Sequence, residues 1–136
     1  MLEVIEMTIA YWCVLVALLA PYILSVAARS QVSRADYVQD PRAYSESLIG
    51  WRRRAHLAHL NAFEAVPAII AGVMVAEFSH APRAYVDALA LAFVAFRALH
   101  AVYYIADRPM LRSHAWRLGI ICIIGLFVVA AVHGRS

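Results

Sequence analysis

A chain of 136 residues that is 64% hydrophobic and only 15% charged, with a mean hydropathy of +0.70, is far from the roughly 25% charge of soluble domains. It is read as an all-α integral membrane protein. A span takes about 20 mostly apolar residues, so four spans leave only short loops and one longer connection, and no soluble domain is expected within 1–136. The net charge of +3 comes from arginine alone, all twelve basic residues being Arg.

The N-terminal stretch Met1 to Glu6 is acidic where a signal peptide is basic, and the apolar run after it is too long for a signal core. The first segment is therefore expected to stay attached. It runs from Met7 to Ala28 without a charge, carries Tyr11 and Trp12 near its outer end, and is expected to bend at Pro21. Residues Arg29 to Trp51 are polar, contain Pro41 and Gly50, and lack periodicity, which reads as a loop with at most a helical turn. Segment two opens on the polar entry Arg52-Arg53-Arg54-Ala55-His56, and its apolar run covers 57–76. Segment three covers 88–106 and segment four 113–133, beginning near Trp116 and Arg117.

Loop arginines set orientation. Arg29, Arg34, Arg42, Arg52, Arg53, Arg54, Arg108, Arg112 and Arg117 lie at one side, against Arg83 and Arg135 at the other. Both termini are thus expected to face away from the cytoplasm. Cys13 and Cys122 fall inside apolar segments and read as small buried hydrophobes. No Cys/His spacing resembles a metal site, and no nucleic-acid partner is expected.

The informative residues are polar ones inside the spans. A charge at the centre of a membrane helix costs at least about 2.5 kcal/mol and marks a functional site unless it is paired. Residues three, four and seven apart share a helix face. Arg54, Leu57, Asn61, Glu64 and Ala68 make one such stripe, with Arg53 beside it, and Arg97, His100 and Tyr104 make another. Both climb to the arginine-rich end, where Arg112 and Ser113 open segment four, so the three groups are expected to meet in one cavity. The bland readings are helix glue for Asn61 and Glu64, a lipid anchor for Arg52 to Arg54, snorkelling for His56 and His59, and an internal pair with Glu64 for Arg97. Glu77 and His80, at the far membrane edge, are assigned no function.

Three motifs carry a resemblance: R-A-H-L-A-H-L-N-A-F-E-A-V-P (Arg54 to Pro67), R-x-x-H-x-x-x-Y (Arg97 to Tyr104), and L-R-S (Leu111 to Ser113). Together with four spans in this length, the chain resembles the membrane-associated proteins in eicosanoid and glutathione metabolism, the MAPEG family. The resemblance implies a homotrimer of four-helix subunits that bind glutathione as cosubstrate between neighbours, on the cytoplasmic side. It places Asn61 and Glu64 on the glutathione backbone, Arg97, His100 and Tyr104 at or beside the pocket, and Arg112 and Ser113 at the sulfur. Leu57 and Leu60 stand where the eicosanoid enzymes carry carboxylate-clamping basic residues, a departure that looks like the prokaryote-type branch. Arg29, Arg53 or Arg54 is expected to substitute.

The implied activity is a glutathione transferase or peroxidase acting on a lipophilic small molecule or lipid. A guanidinium beside a thiol of ordinary pKa near 8.5 makes it a nucleophile at neutral pH. Two other classes compete: a non-enzymatic protein whose polar residues only drive packing and oligomerisation, and a proton or ion path through Glu64, Arg97 and His100.

Overall fold

The computed structural model describes residues 5–30 and 33–134. Arg135 and the first residues of the acidic N-terminal stretch lie outside them. Four long helices, α1 (Ile9–Ala28), α4 (Gly50–Phe78), α5 (Arg83–Ile105) and α6 (Pro109–His133), are each long and apolar enough to cross a membrane. Two short helices, α2 (Arg34–Gln39) and α3 (Pro41–Glu46), lie in the first connection, and no strand occurs among the described residues.

That connection is more ordered than a loop reading allows. Capping chemistry rather than periodicity makes α3: Asp40 accepts the Ala43 amide at 3.1 Å, and Pro41 occupies the first turn, where its missing N–H costs nothing. Gly50 opens α4 with a φ of 62°, a left-handed conformation natural to glycine. The helix then runs unbroken through the polar entry, with Pro67 inside it, as Pro21 is inside α1.

The two tight connections end helices the same way. His80 and Asp107 adopt φ of 54° and 58°, and the next amides reach back five residues, Ala81 to Ala76 at 3.1 Å and Arg108 to Tyr103 at 2.9 Å. These are Schellman ends, and Pro82 and Pro109 follow to prevent continuation. Each forces the chain back, so α4, α5 and α6 run antiparallel in turn.

Helix α4 is central, touching α1, α5 and α6, while α5 lies chiefly on α6 and α1 on α4. The core between them is aliphatic: Ile69 and Val73 of α4, Val86 and Phe93 of α5, Leu126 of α6, with Cys13 and Cys122 among them. Gly72 lets α4 approach α6, since a Cβ there would stand 3.0 Å from Leu126 Cδ1. Outward side chains are apolar too, among them Val16, Leu19 and Ile23 of α1 and Ile121, Ile124 and Val128 of α6. A surface of that kind belongs in lipid. The chain is an integral, multi-pass membrane protein.

Polar bonds fasten both ends of the bundle. At the far end Thr8 caps α1 through the Tyr11 amide and donates to Glu77 Oε1 at 3.0 Å, while Asp87 Oδ1 accepts the Ala10 amide at 2.8 Å. Glu77 is therefore part of a structural clasp. At the arginine-rich end a small cluster of Ala28, Leu48 and Ala55 seats the first connection, and Arg29 bonds Tyr37 Oη and Ser25 Oγ with its guanidinium over the Tyr37 ring. His59 does not snorkel: it is buried and its Nδ1–H donates to the Pro21 carbonyl at 2.6 Å.

Candidate functional site

Helix periodicity brings the two polar stripes together. On α5, His100 and Tyr104 pack edge to face, ring centroids 5.6 Å apart. The Arg112 guanidinium, from the first turn of α6, lies over the Tyr104 ring with Cζ 4.4 Å from its centroid. His100 Nδ1 stands 3.1 Å from the Arg112 carbonyl. A carbonyl only accepts, so Nδ1 carries the proton and Nε2 keeps a bare lone pair. That Nε2 is buried and has no hydrogen-bond partner among the described residues.

These groups line a cavity of ≈ 350 Å³ together with Asn61, Ser113, Trp116 and Arg117. Its wall holds two guanidinium groups and no carboxylate. An adjoining cavity of ≈ 160 Å³ shares Asn61 and Trp116 and adds Glu64, Arg97 and Gly119. A third, of ≈ 270 Å³ between α1, α4 and α5, is apolar except for Arg97 and shares Ala65 and Phe93 with the second.

Arg97 is not an ion-pair partner of Glu64. Its Nη2 donates to Asn61 twice, to Oδ1 at 2.7 Å and to the backbone oxygen at 3.0 Å. Glu64 is exposed on the surface of the subunit and makes no ion pair within 4.0 Å among the described residues.

Of the residues singled out in the sequence, Asn61, His100, Tyr104, Arg112 and Ser113 meet in the largest of these three cavities, and Glu64 and Arg97 in the one beside it. Arg53 and Arg54 line neither. Arg53 is exposed, and Arg54 Nε donates to the Ile105 carbonyl at 2.9 Å, closing the end of α5. Arg29 is likewise engaged in the first connection. The structure adds Trp116 and Arg117, which in the sequence mark only the interfacial start of a span. The signal for them was there, since Arg112 to Trp116 and Ser113 to Arg117 are each one i, i+4 step along α6. Among the described residues no group of three or more His, Cys, Asp or Glu side chains is placed to hold a metal ion.

Antiparallel spanning helices enclosing a polar, cationic cavity at one end define a polytopic membrane protein with an arginine-lined internal cavity. Comparison with protein families matches residues 9–132 to the MAPEG family, and the chain belongs to that family of glutathione and eicosanoid metabolism. No curated protein and no solved structure gives a significant match.

Proposed function

We propose that the protein is a glutathione-binding membrane enzyme, a transferase or peroxidase for lipophilic electrophiles, in which Arg112 stabilises the glutathione thiolate. The observation that carries this is the charge of the cavity: Arg112 and Arg117 face a space with no acid in its wall, beside the Ser113 hydroxyl and the bare Nε2 of His100. Such a wall suits an anionic ligand with its own N–H donors. Glutathione brings carboxylates, amides, an ammonium and a thiol.

In this reading the ammonium sits at Glu64, Asn61 contacts the peptide, and the thiol lies between Arg112 and Ser113. Loss of the thiol proton leaves a thiolate held by the guanidinium and the Ser113 O–H, and the sulfur lone pair attacks the electrophile. The apolar cavity between α1, α4 and α5, which adjoins the Glu64–Arg97 cavity through Ala65, Phe93 and Arg97, offers the bilayer-borne second substrate a place.

Glu64 also supports a homotrimer with sites at subunit boundaries. A carboxylate in mid-span costs about 2.5–3.5 kcal/mol when it faces lipid, and a neighbouring subunit or the ligand would cover it. The arginine asymmetry supports a site opening to the cytoplasm, with both termini opposite. Leu57 and Leu60 favour the prokaryote-type branch.

The Arg97 to Asn61 contact favours a second reading, in which polar residues serve only as helix glue. Equilibrium binding of glutathione to detergent-purified protein separates the two. Saturable binding with three chains per particle is expected; none at millimolar glutathione would leave the glue reading.

A further inference from the structure

The thiolate chemistry proposed above leaves Arg117 unused. This residue follows Ser113 by one i, i+4 step, so α6 turns both towards the same cavity. It is exposed, and among the described residues it makes no hydrogen bond and no ion pair. Arg112, by contrast, is stacked on Tyr104 with its carbonyl held by His100. One cation is therefore fixed and the other is free to close on a ligand.

The positions of the two are informative. Five residues of α-helix separate them, about 7.5 Å along the axis. In glutathione the glycine carboxylate is two residue lengths from the cysteine sulfur at most, a reach of about 7 Å. Because both residues line the same cavity, a thiolate at Arg112 leaves the glycine carboxylate within reach of Arg117. A guanidinium is also the side chain that takes a carboxylate through two parallel N–H bonds.

We propose that Arg117 is the carboxylate-recognition residue of this cavity, binding the glycine carboxylate of glutathione and making the site selective for thiols that carry an acid group at that distance from sulfur. The assignment rests on the glutathione reading of the site. It gives the cavity two cationic poles with separate tasks, Arg112 for sulfur and Arg117 for the carboxylate.

The test measures equilibrium binding of glutathione and of its glycine monoethyl ester to wild type, Arg117→Gln and Arg117→Lys, in nanodiscs of purely zwitterionic lipid. Wild type should bind the acid at least tenfold more tightly than the ester. Arg117→Gln should lose that margin by weakening the acid alone, bringing the two ligands within about twofold, and Arg117→Lys should fall between. Equal weakening of both ligands, or no change in either, overturns the assignment. A parallel arm titrates anionic lipid into the discs: an Arg117-dependent retention of that lipid with the acid-to-ester margin intact would make the residue a headgroup anchor and also overturn it. Failure of wild type to bind glutathione at all is a different result, removing the glutathione reading and the Arg117 assignment with it.

Discussion

One nitrogen of Arg97 holds Asn61 at two points, its side-chain oxygen at 2.7 Å and its backbone oxygen at 3.0 Å, and so ties α5 to α4 at a residue the two polar cavities share. Removing either partner has unequal consequences. Asn61→Leu leaves the guanidinium short of an acceptor beside an apolar wall, at a cost of about 1–3 kcal/mol. Arg97→Leu removes the charge together with its desolvation and should cost less. The double variant should recover about 0.6–1.7 kcal/mol relative to the sum. Reversible unfolding in mixed micelles checks the cycle, and zero coupling would mean that the contact contributes nothing.

Bound glutathione should ionise well below its solution pKa if Arg112 faces its sulfur. Each unit of that shift corresponds to about 1.4 kcal/mol of preference for the thiolate. Arg112→Ala should reverse most of it and lower turnover more than binding, because Glu64 and Asn61 still hold the tripeptide. The thiolate's ultraviolet absorbance, titrated against pH in both proteins, is the measurement. Identical titrations would remove Arg112 from the chemistry.

His100 offers a finer dissection, because its two nitrogens do different things. His100→Asn keeps a donor near Nδ1 for the Arg112 carbonyl and deletes the bare Nε2, while His100→Gln does the reverse. The Asn variant should keep its stability and lose ligand affinity; the Gln variant should lose about 0.5–1.5 kcal/mol of stability and keep more of the affinity. The same pattern in both variants would contradict the tautomer assigned here.

Both interhelical turns store backbone strain at a single residue. His80→Gly and Asp107→Gly relieve a left-handed conformation worth about 1–2 kcal/mol for an ordinary side chain, against about 0.5–1 kcal/mol of extra glycine entropy. A net gain is expected, larger at His80 because Asp tolerates this region better. Thermal or SDS-induced unfolding reads it, and a loss at either position would show that the side chain has another task.

The four spanning helices were legible because an uninterrupted apolar run has no other use for its length, and the polar stripes because 3.6-residue periodicity is local arithmetic. Three features lay beyond that arithmetic. Helix α3 depends on the Asp40 cap, which leaves no periodic trace. The opposite charge on the facing stripe points Arg97 to Glu64, whereas the rotamer delivers it to an amide one turn away. Arg54 reads in the sequence as a candidate carboxylate clamp, and nothing in its spacing foretells that its Nε also donates to the Ile105 carbonyl at the end of α5. Pairing of that sort is decided by three-dimensional packing and has no signature in spacing.

Near the candidate site, four cross-helix bonds land on main-chain oxygens: Arg54 on Ile105, His59 on Pro21, Arg97 on Asn61 and His100 on Arg112. A carbonyl is supplied by every amino acid. Half of each fastening is therefore indifferent to the side chain at that position, and the donor alone carries the information. In a saturation-mutagenesis profile this end of the bundle should consequently look lopsided, with Arg54 intolerant of change while Ile105, its partner in the bond, accepts any residue of similar bulk.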